Sequence, residues 1–244
     1  MRALVPIVKR EFASYFATPI AYVFVVIFAA LAGVFTFQLG NFYERGMADL
    51  MPFFQYLPWL FLVLAPAISM RLWAEERRSG TIELLMTLPV TVTEAVVGKW
   101  LAGWLFMGLA LMATFTLWAT VNWLGEPDNG VIAVSYFGAW AMAGTFLAMG
   151  AALSALTRNQ VIAFILAALG IFVFMTAGTP VVLDAVRAFL PEAVAEAIAS
   201  LSALTHFGSV SRGVLLLSDV VYWVSMTAFW LFVNTIVVNI KKAD

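Results

Sequence analysis

The chain has 244 residues, 64% of them apolar and 11% charged, against roughly 45–50% and 25% in soluble domains. That imbalance marks an integral membrane protein and leaves little chain for a soluble domain. A net charge of −1 excludes a basic nucleic-acid surface, and the lack of cysteine excludes a disulfide framework or thiolate site without fixing the redox compartment.

Read as a helix, residues 1–17 place Leu4, Val8, Phe12, Tyr15 and Phe16 on one face and Arg2, Lys9, Arg10, Ala13 and Ser14 on the other. This predicts an interfacial helix in the headgroup plane, its basic side toward anionic lipid. The first span is Pro19 to Leu39 and holds no ionisable residue. Ala30-Leu31-Ala32 resembles a signal-cleavage site, but the run is as long as a full crossing, beyond the roughly 7–15 residues of a signal core, and reads as a span. After a loop carrying Glu44, Arg45 and Asp49, span two covers 52–71, with Pro58 and Pro66 predicting a kink or local opening.

The densest polar stretch follows, from Trp73 to Trp100. Span three, 94–124, is too long for one crossing at about 1.5 Å per residue, so its first turns, around Glu94 and Lys99, are expected in the cytosol. Gly125 to Gly130 reads as a turn with Glu126 and Asp128 exposed. Span four is 134–156, residues 157–160 form a tight connection, and span five runs from 161 into the break at Thr179-Pro180 (161–179). Residues 181–217 are semi-polar, and Leu190-Pro191 divides them into two short helices, VLDAVRAF and EAVAEAIASLSAL, expected to be re-entrant or interfacial on the outer face. Span six is 219–240. The expected fold is all-α and integral to the membrane: one domain, six transmembrane helices, an N-terminal amphipathic helix and a charged helix between spans two and three.

Loop charge gives the orientation. With both termini in the cytosol, ten of the 13 Lys and Arg lie inside: Arg2, Lys9, Arg10, Arg71, Arg77, Arg78, Lys99, Arg158, Lys241 and Lys242. Arg45, Arg187 and Arg212 lie outside, so the charged stretch is cytosolic.

The spans argue against several chemistries. Spans one, four, five and six hold no ionisable residue in their middles, which an ion-coupled carrier or proton pump needs. Their Ser, Thr and Asn residues suit interhelical hydrogen bonds of about 0.6 kcal/mol each. His206, the one histidine, reads as structural. There is no metal-ligand cluster, no GxSxG elbow and no phosphate loop, since Gly98-Lys99 is followed by Trp100 and residue 93 is Thr. Energy from ATP would have to come through a partner.

Arg77 to Leu88 is expected to be helical, with Ile82, Leu85 and Met86 on one face and Glu83 and Thr87 on another. Gly80 would allow close backbone approach, Ser79 or Thr81 would cap the start, Glu83 would suit the dipole and Pro89 would end the helix.

Glu75-Glu76, Gly80-Thr81, Glu83-Leu84-Leu85, Pro89 and Gly98-Lys99 follow the pattern EE-x3-GT-x-ELL-x3-P-x8-GK. This resembles the membrane subunits of type-2 ABC exporters. Thr205-His206-Phe207, Ser211-Arg212-Gly213 and Asp219-Val220-Val221-Tyr222 look like the gliding-motility and nitrous-oxide-reductase-maturation subgroup. The resemblance implies a bacterial inner-membrane permease with both termini cytoplasmic. It implies pairing with a second, identical or homologous permease subunit and with two cytosolic ABC ATPase subunits. ATP and Mg would belong to that ATPase, with no cofactor, metal or catalytic site in this chain. The region 75–90 would be the coupling helix, docking through Glu75, Glu76, Arg77, Arg78, Gly80, Thr81, Glu83, Leu84 and Leu85. An accessory membrane subunit with a large extracytoplasmic domain often accompanies that subgroup. Two other readings stay open: a mechanotransmitting subunit that drives a periplasmic partner without cargo, and a structural membrane subunit with no ATPase.

Overall fold

A computed structural model describes residues 4–17, 19–81 and 90–241. Among them, five helical stretches are long and apolar enough to cross a membrane, and two bent helix pairs reach that length only when joined. The multi-pass, all-helical class follows from the composition: in hydrocarbon every backbone polar group must be satisfied internally, and a helix does this within one segment.

α1 (Leu4–Phe16) is amphipathic as expected, with Lys9, Arg10, Ala13 and Ser14 exposed. Its apolar side, however, packs on protein. Ile7 is buried against the helix α5 (Val92–Met112) at Gly98, where an added Cβ would meet the Ile7 side chain at 2.6 Å. Tyr15 stacks on Phe106 of the same helix at 4.8 Å. Glycine at 98 is the condition for that approach.

α2 (Pro19–Val34) ends in a π-helical turn, Phe35–Leu39. α3 (Met51–Ser69) continues as one helix through Pro58 and Pro66, both buried, so the expected local opening is not seen. The charged stem α4 (Ala74–Ser79) follows. The third segment is interrupted at residues 113–114 between α5 and α6 (Phe115–Leu124), and the two together make one stretch of 33 residues. α5 starts with a reciprocal cap, Thr91 with Glu94.

α7 (Asn129–Ser154) is the mast of the fold, buried along most of its length and packed against α3, α5, α8 (Gln160–Thr176) and α12 (Leu217–Lys241). Asp128 caps it, accepting from the amides of Gly130 and Val131, and Asn159 caps α8 in the same way. Small residues such as Ala139, Ala143, Ala148 and Ala151 let these helices approach closely.

After α8 the chain turns by 80° into α9 (Pro180–Arg187), then forms α10 (Glu192–Ser200) and α11 (Ala203–Val210). Three short helices thus stand where two were expected. The second expected helix breaks at Ser202, whose buried hydroxyl donates to the carbonyl of Met175 at the end of α8. A tertiary hydrogen bond overrides the local helical pattern there.

Candidate functional site

α4 is six residues, AEERRS, with Glu75 and Glu76 in its first turn and Arg77 and Arg78 in its last, the charge order that suits the helix dipole. A helix this short is marginal alone. It is held by three sets of contacts to other elements.

The first is to the end of α7. The Ala74 amide donates to the Ser154 hydroxyl at 3.2 Å, and that hydroxyl donates to the Met70 carbonyl at 3.1 Å. Arg77 Nη1 donates to the Ala155 carbonyl at 2.9 Å, satisfying an orphan carbonyl at a helix terminus.

The second is a buried ion triad. Lys99, 2% exposed on α5, lies with Nζ 2.6 Å from Glu76 Oε1 and 3.2 Å from Glu11 Oε2. Three elements distant in sequence, α1, α4 and α5, meet at one ammonium. Burial alone would raise the Glu11 carboxyl, but Lys99, with Arg10 bonded to the same group, outweighs it and holds the carboxyl below its ordinary value. A polar cleft of about 280 Å³, lined by Ser14, Arg71, Glu75 and the triad, opens beside it.

The third is Trp73, fully buried just before α4, with the Lys99 ammonium 5.5 Å from its ring centre.

The predicted docking residues therefore divide. Glu76 and Arg77 face the bundle and are engaged there. Glu75 is exposed and pairs with Arg71 at 3.3 Å. Arg78 is exposed and lines a cleft with Thr157, Arg158, Asn159 and Gln160 of the α7–α8 connection. Gly80 and Thr81 are exposed, with the Thr81 hydroxyl 2.9 Å from that of Ser79. Glu83, Leu84 and Leu85 lie outside the described residues, as do Ile82, Met86 and Pro89.

The expectations for this stretch change. The helix expected from Arg77 onward is interrupted: α4 ends at Ser79, and Gly80 takes a left-handed conformation, φ +73°. Among the described residues an added Cβ at Gly80 meets nothing within 4 Å, and the left-handed φ is what favours glycine there. Ser79 bonds back to the carbonyls of Glu75 and Glu76, closing α4 instead of starting a helix. Lys99, in the turns expected to stand in the cytosol, is enclosed by α1 and α4.

Glu11 is the site residue that sequence reasoning missed. It follows Ile7 and precedes Tyr15 by four residues each, so it sits on the apolar face of α1. A carboxylate in that position is the signal that it has a partner. Among the described residues no group of three or more His, Asp or Glu is placed to hold a metal ion.

Over residues 3–238 the sequence matches the family described as ABC-2 family transporter protein. The chain belongs to that family. No curated protein matches it. ABC-2 permeases are membrane components, generally not catalytic themselves, that typically work with ABC ATPase partners.

Proposed function

We propose that the chain is the permease subunit of an ATP-binding cassette exporter, and that residues 73–91 are the segment through which a separate cytosolic ATPase moves it. The bracing of α4 carries this reading: a displacement of the stem is delivered at once to α1, α5 and α7. The outward side chains Glu75 and Arg78, with Gly80 and Thr81, form the dock, joined by the polar residues 157–160 beside Arg78. Glu76 and Arg77 transmit. Glu83, Leu84 and Leu85 complete the dock by the family pattern. ATP and Mg are bound by the partner, two ATPase subunits serving two permease subunits in the bacterial inner membrane, with both termini cytoplasmic.

The proposed layout has six crossings: α2 with its π turn, α3, α5 with α6, α7, α8 and α12. α8 has 17 residues, which at about 1.5 Å each reach roughly 25 Å, enough for a short crossing. α9 to α11 form a cap at the end remote from the stem. In a second reading the ATPase drives a partner on the far side without cargo. The observation favouring it is that the cap is tied to the spans, with Ser202 bonded to Met175 and Tyr222 to Leu201.

The test is affinity purification of the chain after co-expression with the genes that flank its own. An ABC ATPase should co-purify with the wild type. Arg78→Glu with Thr81→Arg should abolish that association while thermal stability stays within about 0.5 kcal/mol, since neither side chain supports the fold. Absence of any ATPase in the wild-type preparation sinks the reading; cargo uptake by inverted vesicles separates export from transmission alone.

A further inference from the structure

The cluster around His206 lies outside the site described above. His206 is on α11, at the end of the bundle remote from the stem, and is the chain's one histidine. Its Nδ1 lies 2.7 Å from Asp219 Oδ1 and its Nε2 lies 3.1 Å from the carbonyl oxygen of Ser200. A carbonyl oxygen only accepts. Asp219, 2% exposed, already accepts on its other oxygen from the Ser209 hydroxyl at 3.0 Å and the Leu216 amide at 3.3 Å. Two acceptors call for two donors, and a neutral imidazole has one N–H.

We propose that His206 and Asp219 form a proton-holding latch that clamps α10 and α11 onto the start of α12, closed while the pair keeps its proton and loosened when the proton leaves. With both ring nitrogens protonated, the pair holds one proton more than a neutral ring beside a carboxylate. Once it is lost, a ring lone pair faces either the buried carboxylate or the Ser200 carbonyl, and a charge-assisted bond becomes a repulsive contact. The clamp is therefore present while the pair keeps its proton and lost as rising pH removes it.

The surroundings support a protonated ring. Tyr222 stacks on His206 with centroids 3.9 Å apart and planes 16° from parallel, an aromatic face that favours a cation. Its hydroxyl donates to the Leu201 carbonyl at 2.7 Å, fixing the chain next to Ser200. Trp223 meets the ring edge to face. α7 and α8, which also pack on α11, carry no Asp, Glu, His, Lys or Arg. Tyr136 of α7 is bonded to Thr114. On α10, Glu192 pairs with Arg187 and Glu196 is exposed; Arg212 is also exposed. The latch thus has one charged partner, Asp219, and the spacing of His206, Asp219 and Tyr222 in the sequence acquires a physical meaning.

The test uses the full chain in lipid nanodiscs, purified with a tag free of histidine. Hydrogen exchange over residues 192–210, corrected for intrinsic rate, should speed up about tenfold between about pH 5.5 and about pH 8. In Asp219→Asn and in His206→Gln that pH response should vanish. A flat wild-type profile, or an equal response in either variant, overturns the proposal. Should the variants fail to fold, nitrogen NMR of the wild type decides, because a single histidine gives an unambiguous signal. Both ring nitrogens should be protonated at the acid end, one proton being lost as protection falls; a neutral ring at the acid end overturns the latch.

Discussion

Each end of the helical bundle carries a buried ionic clamp, and the two are built differently. At the stem end one lysine is enclosed by two carboxylates from different helices, Glu11 and Glu76. At the cap end one histidine faces one carboxylate and a backbone carbonyl. Both fasten short helices to a long one: α1 and α4 to α5, and α10 and α11 to α12. The difference is in what can release them. Histidine is the side chain that ordinarily changes charge between pH 5 and 8. A clamp that bears load, as proposed for the stem, is better made without one. A cap whose grip varies with its surroundings can use one. The chain has a single histidine and places it at the cap.

The harshest way to break this comparison is Lys99→Met. Glu11 and Glu76 are each largely buried, so removing the cation leaves Glu76 without its partner and Glu11 with Arg10 alone. The expected cost is about 3–5 kcal/mol, read as a large fall in apparent Tm in detergent. Adding Glu76→Gln to that variant should recover part of the loss, and the cycle over the two sites measures the coupling. Lys99→Met melting with the wild type would mean that the triad does not clamp, and the two ends would no longer be alike.

A pH series sharpens the contrast because the two clamps respond with opposite sign. Glu11 is held below its ordinary value by Lys99 and Arg10 against the effect of burial. Its contribution is fully present above the unfolded carboxylate range, about pH 4.3, and is lost as pH falls through its lowered folded value. Exchange protection of α1 should therefore hold constant from about pH 8 down to about pH 5 and decline only below that. The cap should lose protection in the other direction, on alkalinisation. If α1 and α11 respond over the same interval, the two clamps are not independent.

How much of this was legible in the sequence depended on the range of the interactions. Apolar runs marked the long helices because span length is set by the bilayer and appears in contiguous residues. Caps were legible too: Thr91 with Glu94 is a three-residue spacing, although span three was placed to begin at Glu94, and so the cap was passed over. The triad was not read, since Glu11, Glu76 and Lys99 come together only through packing of three elements, although Glu11 on an apolar face hinted at it. Lys99 was expected in the cytosol because span three is too long for one crossing, and Glu76 was assigned to the dock by the same family pattern as Glu75. One helical position separates those two glutamates, and it turns one outward and the other into the bundle. The break at Ser202 was equally hidden, as the bond that makes it runs to Met175 on another helix.

The smallest expected effect concerns Gly80, and it distinguishes two reasons for a glycine. Gly80 sits at φ +73° with open space where a Cβ would stand. Gly80→Ala should therefore cost about 1 kcal/mol, from conformation alone, and Gly80→Asn less, because Asn tolerates the left-handed region. This cost falls at an exposed turn beyond α4, so Tm should barely move; the readout is affinity for the ATPase, weakened up to about fivefold as the chain leaves the stem in a shifted direction. Gly80→Trp completes the set. If Trp and Ala weaken binding equally, backbone conformation is the whole requirement. If Trp is far worse while Ala is nearly silent, the open space seen beside Gly80 is filled by the partner in the complex, and the glycine serves the interface as well as the turn.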